Sequence, residues 1–393
     1  MGELQGDLWG FRGICVNRDL GWRYIISLIM EKRKSMNAIA KFGIDTGASG
    51  NKVLVQTTHP GKVGVEDLIL QSSAIRKVTA SYYESLNLVN NRQGSHLSFD
   101  GAHWIVGEYA EGAVRRTKVN RIKKHHAVAK VLSIVGQYIS EIDSPLDVEI
   151  DLMLPSNEAP YFRETEELIF KHIRSFQYGI DTVSCNPVRV QVHPEGAGFA
   201  SYANVYPCSI LMFGHRDVTI INLKDEQANV VPNAYTWTGY GTIEILRNFP
   251  FAFSNELTGA KLLYEEAMAW GEGGLSAMLS EEEKPITLAA LKEAKDLVWT
   301  DLSDDLAADT DFMNSKRVYV GGGGSFFWGD YLADLCQVKA DILAPVRKEI
   351  KTAFAQLRLS LSQQQRFIDL YLIWRQHAAP VTQLQPAPVK EVV

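Results

Sequence analysis

The stretch Phe42–Lys52, FGIDTGASGNK, decides how the rest of the chain is read. It sets Asp45 at the end of an apolar run, follows it with small turn-forming residues, and closes on Lys52, seven positions later. On either side, AIAKFGI and KVLVQT have the apolar composition of buried strands, so the whole reads as a hairpin. A turn rich in Gly, Ser and Thr presents backbone N–H groups in a concave array, which suits anions and phosphates above all. Asp45 suits a hydrated Mg²⁺, an ion that keeps several waters and takes one or two carboxylates. Lys52 can reach back to a phosphate oxygen as a point charge. The same residues also make an ordinary turn, and their spacing alone does not choose between the two readings.

The theme returns further along. SILMFGHRDVTIINL, residues 209–223, is again an apolar strand, a short glycine-bearing turn and a second apolar strand. LDVEIDLMLP reads as a buried strand ending at Pro155, followed by a helix over Glu164–Phe176. VRVQVHPEG alternates Val188, Val190 and Val192 and ends at Glu195, while GAHWIVGEYA reads as strand edges with turns. KRVYVGGGGSFFWGDYLADLC reads as strand, four glycines and helix. The third glycine of a dinucleotide fingerprint is missing there, because Phe326 and Phe327 stand where the helix should pack. A backbone approaching the base and ribose of a nucleotide fits Gly321, Gly322, Gly323, Gly324 and Ser325 better.

Gly112–Ser140 holds seven basic residues and no acid, with Val128, Val131, Leu132, Val135 and Ile139 at helical spacing. Its basic half reads as the solvated entry to a core helix, or else as a contact with an acidic neighbour such as another copy of the chain. The five aspartates of Asp301–Asp311 read as a solvated loop or a helix N-terminus. The segment after His377 carries Pro380, Pro386 and Pro388 and reads as an extended or disordered tail. Residues 1–35 read either as a loose extension, with Met36 as an alternative start, or as an amphipathic membrane-surface helix with Trp22, Tyr24 and Ile25 beside Lys32–Lys34.

The totals narrow the classes. At 393 residues the chain has room for two domains, and 46% apolar with 22% charged residues is ordinary for a globular protein. A net charge of -6 argues against direct nucleic-acid binding, which needs a basic excess. Cys15, Cys185, Cys208 and Cys336 form no CxxC pair, which fits a reducing compartment and neither a disulfide framework nor a zinc site. No apolar run reaches the roughly 18 residues of a bilayer span, so the expected location is the cytoplasm.

Six segments in order resemble the actin-like ATPases, and in particular the ParM/StbA plasmid-segregation branch. GIDTGASGNK resembles the first phosphate loop, HWIVGEYA the segment before the first connecting region, and DLMLPSNE the strand ending in Leu-Pro. VQVHPEGAGFASY is similar to the connecting segment, SILMFGHRDVTII falls at the second phosphate loop, and VYVGGGGSFF resembles the adenosine motif. The resemblance implies an α/β, RNase H-like (ASKHA) fold of two related domains flanking a nucleotide cleft. The expected division is a 1–35 extension, domain I at 36–193, domain II at 194–365 and a C-terminal end at 366–393. It implies ATP, or GTP in its place, with Mg²⁺ held through water by Asp45. Thr46, Gly47, Ala48, Ser49, Gly50, Asn51 and Lys52 would clamp the phosphates with Gly214, His215, Arg216 and Asp217, and Gly321–Ser325 would line the adenosine. Glu195 would position the attacking water. It also implies a head-to-tail homopolymer and a ParR-like DNA-binding adaptor, for segregating plasmids.

One residue departs from the pattern: Met212 stands where the second phosphate loop normally opens with an aspartate. Three readings stay open. Asp217 or His215 takes over part of the role, Arg216 binds the γ-phosphate directly, or hydrolysis is slow. The bland alternative is that Met212 completes a core strand and Arg216 is solvated. Other classes stay open as well: a filament serving cell shape or membrane organisation, a non-hydrolysing nucleotide scaffold, and a kinase of the same superfold using Asp147 or Asp151.

Overall fold

The computed structural model describes residues 38–377 apart from 48–49, 59–64, 87–88, 92, 113–122, 140–145, 252, 254–258, 261, 264–273 and 337–343. Readings of residues 1–35, Ala48, Ser49, most of the basic run and the proline-bearing tail therefore lie outside the described residues.

Both quoted hairpins are present, and each founds a sheet. In the first, β1 (Ala38–Thr46), β2 (Asn51–Thr58) and β3 (Val65–Gln71) form an antiparallel meander. The third sheet comes next in the chain: β4 (Ile75–Val78), β5 (Gly94–Phe99) and β6 (Ala102–Gly107). β7 (Leu146–Leu154) then runs parallel to β1. The short strands β8 (Phe176–Tyr178) and β9 (Asp181–Val183) complete the third sheet in the order β4-β6-β5-β8-β9. β10 (Asn186–Pro194) runs parallel to β7 and closes the first sheet in the order β10-β7-β1-β2-β3.

The second sheet repeats the first. β11 (Cys208–Phe213), β12 (Asp217–Leu223) and β13 (Ala234–Thr238) form its meander, and β14 (Arg317–Gly321) runs parallel to β11. A helix comes before the added parallel strand in each case, Lys124–Ile139 before β7 and Glu283–Ala308 before β14. The architectural echo seen between the two quoted hairpins thus extends to whole sheets.

The patterning explains the layers. Ala38, Ala40, Phe42 and Ile44 of β1 and Val148, Ile150 and Leu152 of β7 face a core filled by Val131, Leu132 and Val135 of the helix Lys124–Ile139. The opposite face of that sheet contributes Leu54, Leu68 and Met153 to a second core shared with Ile210 and Ile221 of the second sheet. Strands buried on both faces read as near-continuous apolar runs, as these do. The helix Leu361–His377 fills the space between the sheets with Phe367, Ile368, Leu370 and Trp374. It is continuous across residues 365 and 366, where the sequence suggested a boundary. Leu291, Val298, Leu302 and Leu306 close a third core on the far side of the second sheet.

Two local expectations are corrected. The helix expected over Glu164–Phe176 is Phe162–His172, because Phe176 and Tyr178 turn into the first core as β8. Asp301, Asp304 and Asp305 belong to the last turns of the helix Glu283–Ala308, whose buried stripe runs on through Leu302 and Leu306. Asp309 then caps the short helix Thr310–Met313 by accepting from Phe312 N–H at 2.9 Å. Among the described residues no helix is long and apolar enough to cross a membrane.

Candidate functional site

Asp45 and Glu195 come to the same edge of the first sheet because β1, β7 and β10 run parallel. Asp45 pairs with Met153, and His193 pairs with Met153 on the other side. Glu195 follows β10 directly, and its N–H donates to Leu154 O at 2.8 Å. Two strand spacings, about 10 Å, separate the backbones. In open α/β sheets such carboxyl ends of parallel strands are where ligands bind.

The gap is bridged by a residue that the sequence reading left in the solvated basic run. Lys123 Nζ ion-pairs with Glu195 Oε1 and lies 3.9 Å from Asp45 Oδ1. Asp45 Oδ2 in turn accepts from Lys52 Nζ, the partner across the hairpin. Lys123 is held by Glu158, which accepts from the N–H groups of Lys123 (2.7 Å) and Lys124 (2.8 Å) and so caps the helix Lys124–Ile139. Glu158 lies in the Leu-Pro segment after β7, so that segment positions a cation for the site.

The electrostatics form one coupled set. Burial pushes the Asp45 carboxyl up, but the ammonium groups of Lys52 and Lys123 outweigh it and hold the carboxyl below its usual range. Burial lowers Lys123, yet Glu195 and Asp45 reverse this and keep it firmly charged. Lys130, one helical turn and more along from Lys123, is pushed down to about 7 by burial and by the charge of Lys123, against the pull of Asp45. Asp217 of the second hairpin faces the same spot: burial and Glu195 raise its carboxyl, against Lys123 and Arg216. Glu195 and Lys123 at the edge of the first sheet thus act electrostatically on Asp217 of the second.

At the first turn, Thr46 Oγ1, Asn51 Oδ1 and Asp45 Oδ1 are buried with no hydrogen-bond partner among the described residues. Such orphaned acceptors call for a ligand, an ion or water. Asp45, whose Oδ1 has no hydrogen bond and meets Lys123 only at 3.9 Å, fits a water-rich Mg²⁺ shell. No cluster of three or more metal-ligating side chains occurs among the described residues. At the second turn, Gly214 N–H is used internally on Asp217 O at 2.8 Å, and His215 O accepts from Ile243 N–H at 2.8 Å. That turn is tied to the start of the helix Thr242–Asn248.

Met212 is the next-to-last residue of β11, partly buried and pairing with Thr219 and Gly321. The four glycines lie beside it. Gly322 has φ +84° and ψ 163°, a conformation closed to other residues. A Cβ on Gly321 would meet the Phe199 ring and Met212 Sδ, and one on Gly322 or Gly324 would meet Phe213. Gly323 alone faces a flexible side chain, with Arg366 Nε 3.3 Å from its Cβ position. The glycine run thus lets the loop lie directly on the second hairpin. Its placement at the carboxyl end of β14, next to that of β11, brings it to the same edge as Gly214–Asp217. A groove lined by Glu166, Phe170, Arg174 and Val190 lies apart, on the helix Phe162–His172, and shares none of these residues.

Sequence reasoning missed Lys123, Lys130, Glu158 and Asp369, a buried acid of the helix Leu361–His377 that accepts from Gly196 N–H. Only Lys123 and Lys130 carried a signal, as cations just before and within a helix with an apolar stripe.

No family model matches the sequence, and no curated protein matches it. Among solved structures, the chain is similar to the apo ParM protein of pSK41, with a TM-score of 0.50 and 14% identity over 86% of this chain and 98% of that one. It is also similar to Ta0583, an archaeal actin homologue, with a TM-score of 0.53 and 16% identity over 86% of this chain and 99% of that one. Likenesses at such identities speak to architecture. The chain has the actin-like α/β fold.

Proposed function

We propose that this chain is an actin-like ATPase that assembles into head-to-tail filaments, with nucleotide bound where the two hairpin turns meet. The observation that carries the reading is the line of ion pairs from Lys52 through Asp45 and Lys123 to Glu195, with Asp217 facing it from the second sheet. Phosphoryl transfer asks a protein chiefly for positioning and charge, and this edge supplies both.

Lys52 and Lys123 neutralise phosphate oxygens. Lys123 then exchanges Glu195 for phosphate, which frees the Glu195 carboxylate to accept from a water and orient it. Asp45 and Asp217 would hold the waters of a bound Mg²⁺, which would supply further charge neutralisation. Asp217 thereby covers part of the role that Met212 cannot fill, and Arg216 adds charge beside it. GTP uses the same phosphate contacts. A phosphate clamp with one turn on each sheet binds the closed arrangement of the two halves best, so hydrolysis changes the affinity of a subunit for its neighbours. A contact that repeats head to tail without closing makes a filament.

The net charge of -6 favours DNA cargo reached through a ParR-like adaptor over direct contact. A cytoplasmic filament for cell shape or membrane organisation uses the same engine. A kinase is disfavoured, because Asp151 is bound by both Arg189 nitrogens at 2.6 and 2.7 Å and Asp147 accepts from Asn186 at 2.7 Å. A non-hydrolysing scaffold is the second reading, and Met212 at the opening of the second turn favours it.

Sedimentation of the purified chain with Mg-ATP, Mg-GTP or Mg-ADP tests the proposal. Pelleting with a triphosphate and not with ADP supports it. Failure to bind or pellet with any of the three refutes it.

A further inference from the structure

The segment carrying Glu195 is held from an unexpected place. After Glu195 comes Gly196, at φ +88° as only glycine readily adopts, and then the short helix Ala197–Tyr202. That helix has no side-chain cap of its own. Asp369 supplies one from the helix Leu361–His377: its Oδ2 accepts from Gly196 N–H at 2.7 Å and its Oδ1 from Phe199 N–H at 3.2 Å. A second tie runs from Gln376 Nε2 to Ser201 Oγ at 2.8 Å. A Cβ on Gly198 would strike Asp369 O, so the two helices touch backbone to backbone.

These two segments lie where the two sheets meet. Residues 195–207 lead from β10 in the first sheet to β11 in the second, and the helix Leu361–His377 lies between the two sheets. Asp369 joins them at one point, next to the peptide that follows Glu195. An amide has one acceptor oxygen and would set an NH2 donor against the other N–H, whereas the carboxylate that stands here, buried, serves both, with Asp45 of β1 and Glu195 as further acids acting on it. Burial and those two charges push it up to about 7, against the two N–H donors. Above that pH the carboxyl is ionised and its two hydrogen bonds are charge-assisted, roughly twice as strong as neutral ones.

We propose that Asp369 is a positioning residue for Glu195: it fixes the Glu195–Gly196 peptide to the helix Leu361–His377, so the Glu195 carboxylate keeps its place at the edge of the first sheet. This inference rests on the reading of Glu195 as the residue that orients water.

The test compares, at pH 8 where the carboxyl is ionised, the full chain with Asp369→Asn, which keeps the shape of the side chain. Three quantities are read: amide exchange by mass spectrometry, ATP affinity at equilibrium, and phosphate release. The expected result is exchange at least tenfold faster at residues 195–200 and unchanged at 146–154, with affinity within twofold and turnover at least tenfold lower. Turnover and affinity falling together would indicate general loosening and overturn positioning, as would unchanged turnover. If the wild-type chain releases no phosphate from Mg-ATP, the reading of Glu195 fails instead. The exchange arm then judges the tether alone, and unchanged exchange at residues 195–200 overturns it.

Discussion

Replacing Lys123 with Met probes the site most sharply, because it removes one charge and keeps the apolar stem. In the wild type, Lys123 serves two carboxylates, ion-pairing with Glu195 and lying 3.9 Å from Asp45. Asp45 retains Lys52 in the variant, and the Glu195 side chain, 20% exposed, can regain water. With the two side chains only 16% and 20% exposed, the stability cost should exceed the roughly 1 kcal/mol of an exposed pair. Nucleotide binding should suffer as well. A charged hydrogen bond to phosphate contributes about 1.5–3 kcal/mol, and at 1.4 kcal/mol per decade this is about tenfold to 150-fold in Kd. Anisotropy of a fluorescent ATP analogue, at two salt concentrations and with urea unfolding alongside, measures both quantities. The affinity gap should narrow as salt rises. A Kd within twofold of wild type at both salts would refute the reasoning and leave Lys123 as a structural partner of Glu195.

Three further outcomes follow from named groups. Lys130, lowered to about 7 by burial and Lys123, carries its charge below that pH and loses it above; ATP affinity should fall between pH 6 and 8 in the wild type and respond less in Lys130→Met, and parallel profiles would contradict this. Asp151, held by Arg189 and His193, has its carboxyl lowered from 3.8 to about 2, and at 1.36 kcal/mol per unit that difference of about 1.8 units is about 2.4 kcal/mol. Because the folded value is depressed, this stability is fully present above about pH 5 and is lost as pH falls through about 2; Asp151→Asn should lose about 2 kcal/mol in urea at pH 7 and only about 0.4 kcal/mol at pH 2, whereas equal loss at both would point to packing. Gly322→Ala forces a side chain into a glycine-only conformation against Phe213, at a cost of about 2–3 kcal/mol that a lowered urea midpoint would report.

What could be read from the sequence was local. The Asp45–Lys52 pair lies across one hairpin, and seven residues of spacing with apolar runs on either side were enough to place it. The second hairpin followed from the same pattern. Glu195 and Lys123 are 72 positions apart, and Asp369 and Gly196 are 173 apart. Periodicity assigns a residue to a face and says nothing about which distant strand end that face will meet. Lys123 therefore passed as a solvated cation, and Asp369 was lost in what looked like a terminal segment. The glycine run was read for openness to a nucleotide, while Gly321, Gly322 and Gly324 lack side chains because protein atoms already fill the space. Composition reports that a backbone must come close, without naming what it comes close to.

The central claim is that Glu195 ends the life of a nucleotide-bound filament. It is tested most directly by light scattering of the purified chain after addition of Mg-ATP, with phosphate release followed in the same cuvette and Glu195→Ala alongside. The account predicts scattering that rises with ATP and decays as phosphate appears in the wild type, and that rises and persists, with little phosphate, in the variant. A flat trace in both would contradict the filament, and equal phosphate release from the two would contradict the role of Glu195.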